Sequence, residues 1–276
     1  CEIQTCLVCE KSQINNYIKS MGNYLYQKYQ YKAPEIRFLP SKVTYNEMRK
    51  YLNSINSVPI GYNIDDVEIY EYNFLKKRCN IILGNNLIDN VTFYGGIIDL
   101  IDEILNINFT IIDLANSIDF EGNALFYQGG FSEVFDDIAK EDKEDIDNNK
   151  INLYLLIGVG NITNTLTAQE IQKFNYIMEN INNFSNSYFI LVDDVRSFKN
   201  ISSYNWYNKL DFSCGIWVGE DIESQDIFQI DKIEEETDKN DIAYVIENGN
   251  YQILKVMGDN LDKNNEEKGL GDFLNG

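Results

Sequence analysis

Apolar residues recur along this chain in short blocks whose spacing changes with position. Over residues 13–31, Ile14, Tyr17, Ile18, Met21 and Leu25 fall three or four apart, which places them on one face of a helix with Ser12 as candidate N-cap. Residues 2–9 (EIQTCLVC) read as a strand before it, and KAPEIRFLP as an extended connector bounded by prolines. Thr44 and Glu47 form a capping-box pattern ahead of a short helix near MRKYL, and VPIG and VEIYEY are strand candidates. From Cys79 strands and helices alternate. Residues 79–84 (CNIILG) predict a buried strand, and FYGGIIDLIDEIL a helix. FTIIDL (109–114) and ALFYQ (124–128) predict strands, and residues 131–146 an exposed helix. INLYLLIGVG (151–160) is a nearly continuous apolar strand, and Thr167 with Glu170 caps the helix through EIQKFNYIMENI. SYFILVDD (187–194), a short aromatic helix around YNWYNKL, CGIWVG (214–219) and a hairpin turning at Asn248-Gly249 complete the pattern.

Apolar strands separated by helices imply an α/β fold, a mainly parallel sheet covered by helices on both faces. Residues 1–60 read as an N-terminal α/β extension, 61–258 as the core and 259–276 as a polar tail. The 276 residues are enough to bury a large core, and no run of 18 apolar residues predicts a membrane span.

Formal charge is −21 and unevenly spread. Residues 1–80 carry 11 Lys and Arg against 8 Asp and Glu; the remainder carries 12 against 36. A surface this acidic repels phosphate backbones, which argues against nucleic acid as a partner. There is no histidine, so Ser-His and Cys-His nucleophile pairs are excluded. Cys6 and Cys9 have metal-site spacing, but no second pair completes it, and no metal site is expected.

The stretch IILGNNLIDNVT (81–92) has the layout of a phosphate-binding loop, G-x-x-x-x-G-K-[ST], between strand and helix. Such a loop needs small residues so that backbone N–H groups wrap the phosphates, a lysine for the β- and γ-phosphates and a hydroxyl for magnesium. Gly84 stands at the turn. Asp89 replaces the second glycine, Asn90 the lysine and Val91 the hydroxyl, with Thr92 one residue late. Gly84, Asn85, Asn86, Asp89 and Asn90 are therefore the candidate residues of a degenerate nucleotide loop, or of an ordinary strand–turn–helix. A working site also needs an apolar strand ending in carboxylates, and INLYLLIGVG ends instead in Gly158 and Val159. Both halves fail together, which favours a decayed site over an accidental near-match. No cofactor is expected, with room left for weak ATP or magnesium binding.

Asp193 and Asp194 close a strand at the edge where α/β sheets place ligands, and Arg196 follows. With Gly158 they form a candidate cleft, or simply helix-cap chemistry. Trp206, Tyr207 and Trp217 are either core or the aromatic lining of a peptide groove.

Seven stretches in order carry a resemblance: SVPIGYNIDDVEIYEYN, CNIILGNN, ALFYQGGFSEVFDDIAKE, LYLLIGVG, SYFILVDDV, GIWVGEDIESQDIFQI and NGNYQILKV. They resemble the last ATPase-like module of the FtsK/SpoIIIE-type motor of type VII secretion, the EssC/EccC family. EIQTCLVCE resembles the closing strand of the preceding module. The resemblance implies a P-loop NTPase-like (FtsK/RecA-type) fold and a place after upstream ATPase modules of the same chain. It also implies ring assembly in a longer protein, on the cytoplasmic side of a membrane anchor lying outside this sequence. The final module of the family often keeps the fold and loses the loop residues, as Asp89, Asn90 and Val91 suggest here. A non-hydrolysing module that docks WXG100-type secreted proteins and regulates the upstream motor is the leading expectation. An ATPase with a non-standard nucleotide site is the second, and a DNA translocase, disfavoured by the charge, the third.

Overall fold

A computed structural model describes residues 13–29, 37–54, 56–87, 91–141, 151–220, 222–231 and 241–258. The chain divides into two units, residues 1–38 and 39–276. The first contains helix α1 (Ile14–Tyr29), as its three- and four-residue spacing requires. The expected strand at 2–9 and the polar tail 259–276 lie outside the described residues.

The second unit is built on one sheet. Its strands are β1 (Val58–Asn63), β2 (Ile69–Tyr72), β3 (Cys79–Gly84), β4 (Ile107–Asp113), β5 (Leu125–Tyr127), β6 (Ile151–Ile157), β7 (Ser187–Asp194), β8 (Cys214–Val218), β9 (Ile242–Glu247) and β10 (Asn250–Val256). They lie in the order β2-β1-β10-β9-β8-β3-β7-β6-β4-β5. The half from β8 to β5 is entirely parallel; the half from β8 to β2 is antiparallel. The sheet is thus mixed, with a parallel half carrying the strand–helix alternation. The hairpin β9–β10 turns at Asn248 (φ 52°) and Gly249 (φ 80°), the paired positive φ angles of a tight hairpin turn.

Continuous apolar strands are what two buried faces demand. On β6, Leu153, Leu155 and Ile157 pack in one core layer, and Tyr154 and Leu156 in the other. On β7, Ile190 and Val192 oppose Phe189 and Leu191 in the same way. The first layer takes α2 (Tyr45–Arg49) and α3 (Val91–Asp102) through Met48, Phe93, Tyr94, Ile97, Ile98 and Ile101. The second takes α4 (Phe131–Glu141), α5 (Ile162–Thr165), α6 (Ala168–Glu179) and α7 (Val195–Phe198), with Phe135, Phe174 and Phe198 at its centre.

Two expectations change. Val43, Met48, Val58 and Ile60 are buried in the core of the second unit, so residues 39–60 belong to the sheet domain and the division falls at 38. Helix α4 is not exposed all round: Phe131, Val134, Phe135 and Ile138, at i, i+3, i+4 and i+7, are buried. Residues 142–146 lie outside the described part. The capping box at α6 forms as expected, Thr167 Oγ1 accepting from Glu170 N and Glu170 Oε2 from Thr167 N.

Candidate functional site

The parallel strands share one carboxyl edge, where α/β sheets place their ligands. Register brings the predicted cleft residues together there. Gly84 lies opposite Asp194 across β3–β7 and opposite Val218 across β3–β8. Ile157 lies opposite Val192, and the Gly158 N–H donates to the Val192 carbonyl at 2.8 Å. Arg196 is exposed in the first turn of α7.

The chemistry of this edge is decided by what each carboxylate already holds. Asp193 is 2% exposed. Its Oδ2 accepts from Gly160 N at 2.6 Å and its Oδ1 from Asp194 N at 2.8 Å. Burial pushes its carboxyl up to about 7, against the pull of those two N–H groups; the neighbouring Asp194 charge adds to the rise. Asp194 is the N-cap of α7, its Oδ1 accepting from Arg196 N and Ser197 N at 2.9 Å each. The helix-cap alternative is thus the one realised.

A third carboxylate was missed in the sequence. Asp113, fully buried at the end of β4, accepts from the backbone N–H groups of Ala115, Ser117 and Ile118, the Ser117 hydroxyl and the Gln128 amide. It ties down the loop that leads to β5. Its signal was available: FTIID ends in an acid just as SYFILVDD does.

Two glycines allow the turns of this edge to interlock. Gly158 has φ 71°, and a Cβ there would lie 2.5 Å from Ala115 Cβ. At Gly160 a Cβ would lie 2.0 Å from the Ser197 carbonyl oxygen, so the turn after β6 abuts the start of α7 backbone to backbone. On α3, the buried Tyr94 hydroxyl faces Ser117 and Asp113, and burial raises it to about 12.

Of the loop residues, Gly84 is buried, while Asn85 and Asn86 are exposed. Asn85 Nδ2 donates to the Glu220 carbonyl at 3.2 Å, the same oxygen that accepts from Trp217 Nε1 at 3.0 Å. Asp89 and Asn90 lie outside the described residues.

The aromatic groove is corrected. Trp206 is 1% and Trp217 0% exposed, so neither lines an open surface. Trp206 packs edge-on against Phe174 of α6 and stacks on Tyr204, and its Nε1 donates to Asn175 Oδ1 at 2.8 Å. Tyr207 is half-buried between Phe198 and Phe212. These rings fill the layer between α6, α7 and the sheet. Among the described residues no cluster of three or more His, Cys, Asp or Glu is placed to hold a metal, and no helix is long and apolar enough to cross a membrane.

No family model matches the chain, and no curated protein matches it. Its fold is shared with solved structures. The cytoplasmic domain of EssC superposes with TM-score 0.64 at 11% identity, over 92% of this chain and 55% of that one. EssC (ATPases 2 and 3) from Geobacillus thermodenitrificans gives 0.63 at 11% identity, over 90% and 51%. Thermomonospora curvata EccC (ATPases 2 and 3), in complex with a signal sequence peptide, gives 0.60 at 10% identity, over 91% and 49%. The chain spans about half the length of these structures. The chain shares the P-loop NTPase-like fold of these structures.

Proposed function

We propose that this chain is the terminal ATPase-like module of a type VII secretion motor of the EssC/EccC kind, and that it docks secreted proteins without hydrolysing ATP. One observation carries the absence of hydrolysis: the carboxylates that close β4 and β7 are committed to backbone. Asp193 holds Gly160, Asp194 caps α7 and Asp113 holds the loop after β4. Hydrolysis needs a carboxylate free to hold magnesium and orient water, and a lysine for the phosphates. Asn90 stands at the lysine position.

The docking part is supported by the shared fold and by the signal sequence peptide in the EccC structure. In this reading the guests are C-terminal segments of WXG100-type proteins, and occupancy is signalled to upstream modules of the same chain. Those modules assemble as a ring on the cytoplasmic side of the membrane.

The hydrolysis test is direct. Phosphate release from ATP is expected to stay at background, and turnover near 1 per second, within the ordinary enzyme range, overturns the reading. ATP binding is expected to be weak, because a carboxylate at Asp89 repels phosphate by an amount on the order of a few kcal/mol at surface-like dielectric. The double variant Asp89→Gly, Asn90→Lys should bind ATP more tightly than the parent by calorimetry. Docking is checked separately, by fluorescence anisotropy of labelled C-terminal peptides from WXG100 proteins of the same genome. Saturable, modest binding is expected, since a mobile segment must order on docking. Failure of every peptide at millimolar concentration removes the docking role.

A further inference from the structure

Among the described residues, the outer end of the sheet is an open edge: strand β5 is last in the strand order and pairs on one side only, with β4. Its first residue, Leu125, is 60% exposed. A groove of about 350 Å³ lies over the face of the sheet between these strands and α4, lined from β5 by Leu125 and Tyr127, from β4 and β6 by Asn108 and Asn152, and from α4 by Asp137 and Ile138. Natural edge strands are guarded by shortness, by charges or by proline; β5 is short, at three residues, but Leu125, Phe126 and Tyr127 carry neither a charge nor a proline.

Charge says what fits. No lysine or arginine occurs between Arg78 and Lys140, against ten Asp and Glu. That stretch builds β3, α3, the two outermost strands β4 and β5, and nearly all of α4. Cations from elsewhere reach part of it: Arg49 pairs with Glu103 and Lys173 with Asp136, while Lys140 pairs with Asp137 within α4. Asp119 and Glu121, in the loop entering β5, and Glu133 on α4 are exposed and have no ion pair among the described residues. A second copy of this chain would bring two such anionic ends together, and like charges oppose that pairing.

We infer that β5 and its groove dock an extended basic segment of another protein by strand addition. The β5 backbone supplies the hydrogen bonds, alternate apolar side chains of the guest meet Leu125 and Tyr127, and its lysines or arginines face Glu121 and Asp119. This is separate from the peptide docking proposed above, which rests on likeness to other structures. The two are distinguished by the variants used.

The test is fluorescence anisotropy with a labelled peptide alternating lysine and valine, titrated with the whole chain. Saturable binding is expected, weakening as salt rises because exposed charges are screened. A peptide of the same composition with lysines and valines in separate blocks should bind about tenfold more weakly, since it cannot present one apolar face on a strand. Leu125→Lys should cost about tenfold or more in affinity, with an unchanged melting temperature because the side chain is exposed. Glu121→Lys, in an exposed loop, gives the same reading should Leu125→Lys not fold. Equal binding of the blocked peptide, or indifference to both substitutions, overturns the proposal. So does concentration-dependent self-association that Leu125→Lys abolishes, which would make the occupant a second copy.

Discussion

Trp206→Ala is expected to lower the free energy of unfolding by roughly 3–5 kcal/mol, the usual cost of removing a large buried aromatic. The side chain is 1% exposed, with ring centroids of Phe174 and Tyr204 at 5.7 and 5.8 Å. Truncation leaves a cavity between α6 and the segment 199–210, and strands the Asn175 side-chain oxygen that accepts from the indole. Against a total stability of about 5–15 kcal/mol, that loss decides whether the chain is folded at 37 °C. Trp206→Phe keeps most of the volume and loses the hydrogen bond, so it should cost clearly less. Urea denaturation followed by far-UV circular dichroism measures both. A Trp206→Ala protein with an unchanged midpoint would return Trp206 to the list of surface groove residues.

That residue also shows where sequence reading runs out. The strands of the parallel half were legible because two-sided burial writes itself locally, as unbroken apolar runs such as Leu153–Ile157 and Tyr188–Val192. The capping box at Thr167 and the turn at Asn248-Gly249 were legible because local hydrogen bonds and φ angles select those residue types. Trp206 sits instead in a run of short helical turns with no period, and its partners Phe174 and Asn175 lie on another element. The strands of the antiparallel half were legible too, but not their order: β1 pairs with β10 at Gly61↔Val256, a contact between the two ends of the domain.

At the candidate site, the positions were legible and the roles were not. Strand ends mark the carboxyl edge, so Gly84, Gly158, Asp193 and Asp194 were found together. Whether a carboxylate there faces a ligand or its own backbone depends on the following turn. Asp113 and Asp194 take the same kind of local cap, each accepting from N–H groups two or more residues ahead. Asp193 differs, because one of its donors, Gly160, comes from the turn after a neighbouring strand. It joins two turns and not one.

Asp193 should also leave its mark on stability near neutral pH. An Asp in the unfolded chain titrates near 3.9, whereas burial holds the folded carboxyl at about 7. Between those values the folded state binds the extra proton. Stability therefore falls as pH rises from about 4 to about 7 and levels off above, the reverse of a salt-bridged carboxylate. The span is about three pKa units, or roughly 4 kcal/mol at 1.36 kcal/mol per unit. With no histidine in the chain, the side chain that ordinarily titrates in the upper part of that window is missing, so little else masks the effect. In Asp193→Asn the charge is gone and the slope should go with it. One of the two N–H groups of Gly160 and Asp194 then faces an amide nitrogen, and the variant should lose a hydrogen bond at every pH. The measurement is the urea midpoint at intervals from pH 5 to pH 7.5 for both proteins. A parental midpoint that falls across this range while that of Asp193→Asn stays level is the expected result. Parallel curves would mean that Asp193 is ionised throughout and the two N–H groups outweigh its burial.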